Sequence, residues 1–237
     1  MRPSSPPRAF LRIKKDSNMK KTALTLAMGL LVAGAANAAV EANIGATSNY
    51  MWRGVTQNLD DATLQGGVDY SSEDGFSLGA WASDTKSYSG YELDIYGAYS
   101  AETSNGVGYS VGFTQYLYPD TKPDQDFLEV NGSVTLGPVT AAIAHTISAD
   151  NSAAEGDNYY SLSTGTDIQD GLSLEGTLGY YDFDANGAGS YTHAQLDLTK
   201  SLGDYGDITA SVSKLSNDGS SYTDEDTTFF VSYTKTF

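Results

Sequence analysis

Phe229-Phe230-Val231-Ser232-Tyr233-Thr234-Lys235-Thr236-Phe237, the last nine residues, carry the reading that decides the fold. Phe229, Val231, Tyr233 and Phe237 fall on one parity, and Thr228, Ser232, Thr234 and Thr236 on the other. Period-two alternation of this kind is a strand with one apolar and one polar face. In water, so apolar a strand at a sheet edge would template aggregation. In lipid the same face is an asset, provided the sheet closes on itself and no backbone group is left unpaired.

Alternation recurs through the rest of the chain, and no segment shows convincing 3.6-residue periodicity. Strands are predicted over 40–53, 62–70, 76–83, 91–100, 107–118, 127–136, 139–147, 158–166, 172–181, 191–199 and 207–215, with the C-terminal segment as the twelfth. In each, Val, Ile, Leu, Tyr and Phe occupy one parity and Ser, Thr, Asn, Gln and acidic residues the other. The connections alternate in length. Ser71–Gly75, Gly137-Pro138, Asp167–Gly171 and Leu202–Gly206 are short, whereas Gly54–Asp61, Pro119–Asp126, Ser148–Asp157, Asp182–Ser190 and Ser216–Asp226 are generally longer and more polar. An even strand number with short turns at one end and long loops at the other predicts an all-β, closed antiparallel transmembrane barrel of about 12 strands. A sandwich does not require that alternation. Tyr50 and Trp52 are predicted at one rim, and Tyr70, Phe76, Tyr99 and Tyr109 near the other, as interfacial aromatic girdles require.

The other end of the chain agrees. Met19-Lys20-Lys21 precedes an apolar run from Ala23 to Ala33 and then Ala36-Asn37-Ala38. That is the pattern of a secretory signal peptide, 19–38, cleaved after Ala38. The run is shorter than the roughly 20 apolar residues a spanning helix needs. Residues 1–18, basic and with three prolines, read as an upstream extension. The expected destination is the bacterial outer membrane, with 39–237 as the barrel. In that setting Phe229, Val231, Tyr233 and Phe237 form the expected assembly signal for the barrel-assembly machinery, and outer-membrane lipid and lipopolysaccharide are the expected surroundings.

The whole chain has net charge −17. Seven of its thirteen bases and one of its thirty acids precede residue 39, which leaves the expected mature chain at −23. Such acidity argues against nucleic acid as a partner. It does not signal disorder here, because 17 Tyr, 8 Phe and 2 Trp are too many aromatics for a solvated tail. With no Cys, disulfides do not hold the fold.

Ser48-Asn49-Tyr50-Met51-Trp52-Arg53-Gly54-Val55-Thr56-Gln57 resembles the opening signature, S-x-Y-x-x-R-G-x-S-Q, of the TorF-like porins, a proteobacterial family also filed as Gcw_chp and of unknown function; Thr56 replaces the usual Ser. Gln65–Tyr70, Gly79–Ser83, Glu92–Gly97 and Tyr116–Pro119 also resemble its motifs, and the likeness is best over 43–137. The resemblance implies an outer-membrane barrel that forms a pore, and brings no catalytic residue, cofactor or known substrate.

In a barrel the polar parity faces the lumen. Pore-lining candidates are Asp69, Glu92, Asp94, Glu129, Glu175 and Asp197, with Glu41 on the same parity and Arg53 almost alone in opposition. Rings of carboxylates favour cations. Arg53 is expected to pair with one or more of them, since an unpaired interior charge is costly. Trp81, Tyr96, Tyr116, Tyr118, Tyr181 and Phe230 share the inward parity and are expected to narrow the barrel. The expected function is passive diffusion of small hydrophilic solutes, with cations preferred. The alternative is a closed structural or adhesive barrel acting through its external loops.

Enzymatic activity is not expected. His145 falls on the lipid-facing parity, where a barrel lipid-modifying enzyme would need it, but no distinctive Ser motif accompanies it. Asp182-x-Asp184-x-Asn186-Gly187 resembles the start of a calcium loop, yet its twelfth position is His193 rather than Glu. No metal and no cofactor are expected. Asp224-Glu225-Asp226 is left as a loose external acidic cluster.

Overall fold

The computed structural model describes residues 38–87, 90–150, 154–184, 189–218 and 227–237. The expected signal segment and the Asp224-Glu225-Asp226 cluster lie outside the described residues. Strand β1 (Ala39–Thr47) is followed by a small hairpin, β2 (Met51–Trp52) and β3 (Val55–Thr56). Then come β4 (Thr63–Ser71), β5 (Phe76–Thr85), β6 (Gly90–Glu102), β7 (Val107–Leu117), β8 (Phe127–Leu136) and β9 (Val139–Ala149). The chain continues through β10 (Asn158–Gln169), β11 (Leu172–Asp182), β12 (Ser190–Ser201), β13 (Asp207–Asp218) and β14 (Thr227–Thr236). All strands except β2 and β3 form one closed antiparallel barrel of 12 strands, each paired with its neighbours in sequence.

Closure joins the two ends of the chain. Strand β14 pairs with β1 from Asn43↔Thr236 to Thr47↔Ser232. The seam is extended by Ser48 N–H to the Val231 carbonyl (2.9 Å) and Phe237 N–H to the Ala42 carbonyl (2.8 Å). No edge is left, as a sheet in hydrocarbon requires. Lys235, the one charge on the apolar parity of this segment, reaches the turn-end rim, where its ammonium donates to the Asp204 carbonyl (2.5 Å). Such a long side chain can keep its stem in lipid and its head at the interface.

Burial is inverted relative to a soluble protein. Val40, Leu64, Phe76, Val111, Leu136, Leu178 and Phe229 are more than half exposed on the outside. The buried interior is rich in Thr63, Ser77, Ser83, Thr146, Thr199, Ser211 and Ser213. An exposed apolar belt around a polar interior is what lipid outside and solvent inside select. Phe230, on the opposite parity from Phe229, is buried in the lumen.

Sequence alternation located all twelve barrel strands, including 158–166, which the structure extends to Asn158–Gln169. The first strand departs from expectation. The predicted strand 40–53 ends at Thr47, and Ser48–Ala62 turns into the barrel, so the link is longer than the expected Gly54–Asp61. Tyr50 and Trp52, expected in a lipid-facing girdle, therefore leave the wall; Tyr50 is buried at 6% exposure. The turn-end girdle is as expected, with Tyr70, Phe76 and Tyr109 exposed and Phe76 against Tyr99 at 4.9 Å between ring centres. Tyr91, Tyr160 and Tyr180 are exposed aromatics towards the loop end instead.

This parity yields a test. Val231→Arg puts a charge on the lipid face and is expected to destabilise the barrel by up to about 3 kcal/mol, whereas Ser232→Asn on the luminal face is tolerated. Unfolding in urea, followed by the heat-dependent gel mobility of the folded barrel, measures both. Equal stability of the two variants contradicts the assigned faces.

Candidate functional site: a hairpin folded into the lumen

Strands β2 and β3 pair as Met51↔Thr56 and Trp52↔Val55, leaving Arg53-Gly54 as a two-residue turn. Both turn residues have positive φ, 51° and 86°, as type I′ hairpins require. For Arg53 that conformation is uncommon and strained. Glycine is required at 54 for a second reason, because a Cβ there would lie 2.6 Å from the Cβ of His193 on the barrel wall.

Asn49, Gln57 and Asn58 secure the base of the hairpin. Asn58 accepts from the Tyr50 backbone N–H (3.0 Å), and the Asn49 carboxamide joins Asp60 (2.6 Å) to Thr56 (2.7 Å). The Thr85 hydroxyl donates to the Gln57 carbonyl (2.6 Å), which ties the loop to β5. These residues are 7% exposed or less where they are Asn49, Asn58, Gln57 and Thr85, so the loop belongs to the interior of the folded unit.

Two contacts lock the tip to the wall. The Arg53 guanidinium donates through both terminal nitrogens to Glu129 on β8, at 2.7 and 2.6 Å. Its plane lies 4.3 Å from the Trp52 ring centre and 4.4 Å from that of Tyr159. The Tyr50 hydroxyl donates to Glu92 on β6 (2.7 Å), and Tyr118 donates to the other oxygen (2.9 Å). Tyr116 donates to Glu129 at 3.1 Å. Trp52 sits among Tyr116, Phe127 and Tyr181, with ring centres 6.0–6.3 Å away. Side-chain exposures of 8% for Arg53 and 2% for Glu129 make this a buried pair. Removing one partner of such a pair typically costs about 3–5 kcal/mol, because the other charge is left uncompensated.

The expected pore-lining residues divide into two groups. Arg53, Glu92, Asp94 and Glu129 come together in the loop-side half of the lumen around the hairpin. Arg53 reaches this position from the hairpin tip, not from the polar face of the first strand, where it was expected. Asp94 is 0% exposed, with Trp81 and Tyr116 as its cross-strand neighbours, and neither carboxylate oxygen has a hydrogen-bond partner among the described residues. Asp69, Glu175 and Asp197 lie in the turn-side half. Asp69 accepts from Tyr96 (2.6 Å), and Asp197 accepts from Ser211 (2.6 Å) and Gln195 (3.0 Å). Glu41 stands opposite Asp69, and Glu175 opposite Asp197. These two acidic pairs occupy separate sectors of the wall. Beside Arg53 and Glu129 a cavity of about 50 Å³ remains, lined also by Thr114, Asn131 and Ser161, with room for a few water molecules.

All the aromatics expected inside are there: Trp81, Tyr116, Tyr118, Tyr181 and Phe230 are buried, and Tyr96 bonds Asp69. Sequence reasoning missed Asn49, Asn58, Tyr159 and His193 as partners of the hairpin. No short-range pattern marked them, since Tyr50 and Trp52 continue the apolar parity of the first strand. His193 stacks on Tyr159 and shares a 2.9 Å hydrogen bond with its hydroxyl, and it packs against the hairpin turn at Gly54; Asn186 and Gly187 of the calcium-like stretch lie outside the described residues. His145 pairs through Nδ1 with the Asn158 carboxamide oxygen (3.0 Å). No cluster of His, Cys, Asp or Glu fit to hold a metal ion occurs among the described residues.

The barrel resembles solved outer-membrane channels. The KdgM porin matches with a TM-score of 0.55 at 6% identity, over 83% of this chain and 98% of that one. The COG4313 outer membrane channel from Pseudomonas putida F1 matches with 0.54 at 10% identity, over 85% and 96%. At such identities the likeness establishes the fold alone. No curated protein matches the sequence. A profile of a bacterial protein family of unknown function, Gcw_chp, matches residues 32–237, and it spans the luminal hairpin and the whole closed barrel: the chain belongs to the Gcw_chp family.

Proposed function

We propose that this protein is an outer-membrane channel of the TorF-like porin type, in which the Ser48–Ala62 hairpin forms the constriction, and that it passes small hydrophilic solutes with a preference for cations. The observation that carries the proposal is the bidentate Arg53–Glu129 pair, which fixes the hairpin across the loop-side half of a polar lumen. The turn-side half presents Glu41, Asp69, Glu175 and Asp197 on luminal positions. Arg53 is neutralised by Glu129, so the field along the path is set by the remaining carboxylates, which favour cations. The short turns and both chain ends then lie on the periplasmic side, with the longer loops outside. A signal peptide cleaved after Ala38 would deliver the chain.

A second reading is a closed barrel acting through its external loops. It is favoured by the tight filling around the hairpin, where Tyr116, Glu92 and Asp94 are 0–2% exposed. Conductance across a planar bilayer separates the two readings. The wild type is expected to conduct weakly. Arg53→Ala is expected to raise single-channel conductance well above that level, because it removes the bidentate anchor of the hairpin tip and leaves the buried Glu129 uncompensated, at a typical cost of about 3–5 kcal/mol. Silence from both well-folded proteins supports the closed barrel.

Selectivity has its own test. Asp69→Asn, Glu175→Gln and Asp197→Asn together leave the hairpin contacts intact and are expected to shift the reversal potential towards anions in a salt gradient. The wild-type preference is expected to weaken as salt rises from 0.1 M to 1 M, since the Debye length falls from about 10 Å to about 3 Å. An unchanged reversal potential in the triple variant removes these carboxylates from the selectivity argument.

A further inference from the structure

The outer wall is not uniform. On β10 and β11, Tyr160, Leu162, Leu178 and Tyr180 form a bulky exposed ridge. Next to it, on β12, the outward positions are Thr192 and Ala194, both small and exposed. Beyond them, on β13, stand Lys214 and Ser216. Ridge and small residues enclose a groove of about 520 Å³ on the lipid-facing side, with the backbone of Gly179 and His193 in its floor.

The groove is graded along the barrel axis. Its upper row, nearer the loop end, is Tyr160↔Tyr180↔Thr192↔Ser216. Its lower row is Leu162↔Leu178↔Ala194↔Lys214. Hydroxyl donors thus stand above, aliphatic surface lies below, and an ammonium on a long flexible stem can reach up from the lower row to the hydroxyls. The outward-facing Lys200 and Lys235 sit at the turn end and donate to backbone carbonyls of Asp170 and Asp204. Lys214 has no hydrogen bond or ion pair among the described residues. A cation on the lipid face is costly unless something anionic meets it.

We infer that this groove is a binding site for a phosphorylated lipid of the outer leaflet, lipid A in chemical class: one phosphate takes Lys214, Ser216 and Thr192, and an acyl chain lies along Leu178, Leu162 and Ala194. The occupant follows from complementarity. An acidic chain of net charge −17 presents a cation here at the side of an apolar trough, with two hydroxyl donors above it, which is the layout of an anionic amphiphile. The inference rests on the outer-membrane reading, which places the loop end in the outer leaflet.

Native mass spectrometry of the purified, folded full-length barrel tests it, with diphosphoryl lipid A, phosphatidylglycerol and inorganic phosphate as probes. Lipid A adducts are expected on the wild type and on Lys200→Gln. Lys214→Gln is expected to lower their occupancy about tenfold, the scale of one lost charge-assisted phosphate contact. Ala194→Trp, which fills the trough and keeps the charge, is expected to lower it as well, and Lys214→Arg to retain it. Heat-dependent gel mobility confirms that each variant is folded. Unchanged lipid A occupancy in both Lys214→Gln and Ala194→Trp overturns the site. Equal retention of phosphatidylglycerol overturns the lipid A assignment, as does inorganic phosphate displacing the lipid, or a second protein copy bound in its place. Loss of the lipid site in a barrel that still conducts leaves the channel reading standing, so the two can fail separately.

Discussion

Inside hydrocarbon no water is available to the peptide group, so every strand N–H and C=O must find a partner in another strand. For this chain that demand is met only because β14 returns to β1. The Asn43↔Thr236 to Thr47↔Ser232 register, extended by the Phe237–Ala42 bond, turns a twelve-stranded sheet into a surface without edges. The apolar belt, the polar lumen and the enclosure of the hairpin all depend on that seam. An open sheet would expose Phe229 and Val231 to water and would have no inside for Arg53 to enter.

Closure creates a second problem at the loop end. A lumen lined by Ser and Thr can hold water, but Glu92, Asp94 and Glu129 place three carboxylates close together within it. The hairpin answers part of that charge with one guanidinium and the Tyr50 hydroxyl, and Tyr116 on β7 and Tyr118 just beyond it add two more phenol donors from the wall. Arg suits the position better than Lys, because its planar fork meets both Glu129 oxygens while its faces stack on Trp52 and Tyr159. The strained positive φ of Arg53 and the close approach at Gly54 are sustained by these contacts. Asp94 is left without a hydrogen-bond partner among the described residues.

Gly79 shows how the wall accommodates its own contents. The Tyr96 ring lies over Gly79 on the luminal face, where no side chain intervenes, and so reaches across β5 to Asp69 on β4. The same economy of volume at Gly54 admits the hairpin against His193. Three of the expected luminal acids, Asp69, Glu92 and Glu129, thus carry specific phenol donors.

The sequence by itself determined the strands, their faces and the alternation of turns and loops. Strand alternation has a period of two, and lipid outside with a polar lumen inside imposes it on each strand separately. That local rule also placed Asp69, Glu92, Asp94, Glu129, Glu175 and Asp197 inside, and Phe229, Val231 and Tyr233 outside. It failed at Ser48–Ala62, where Tyr50 and Trp52 continue the apolar parity of β1 by chance and the stretch reads as more strand. Only the tertiary structure decided that the chain turns inward there. The partners that draw it in, Glu92, Glu129, Tyr159 and His193, are 42 or more residues away in sequence on four other strands. They become neighbours only after the barrel has closed, so no short-range pattern could announce them.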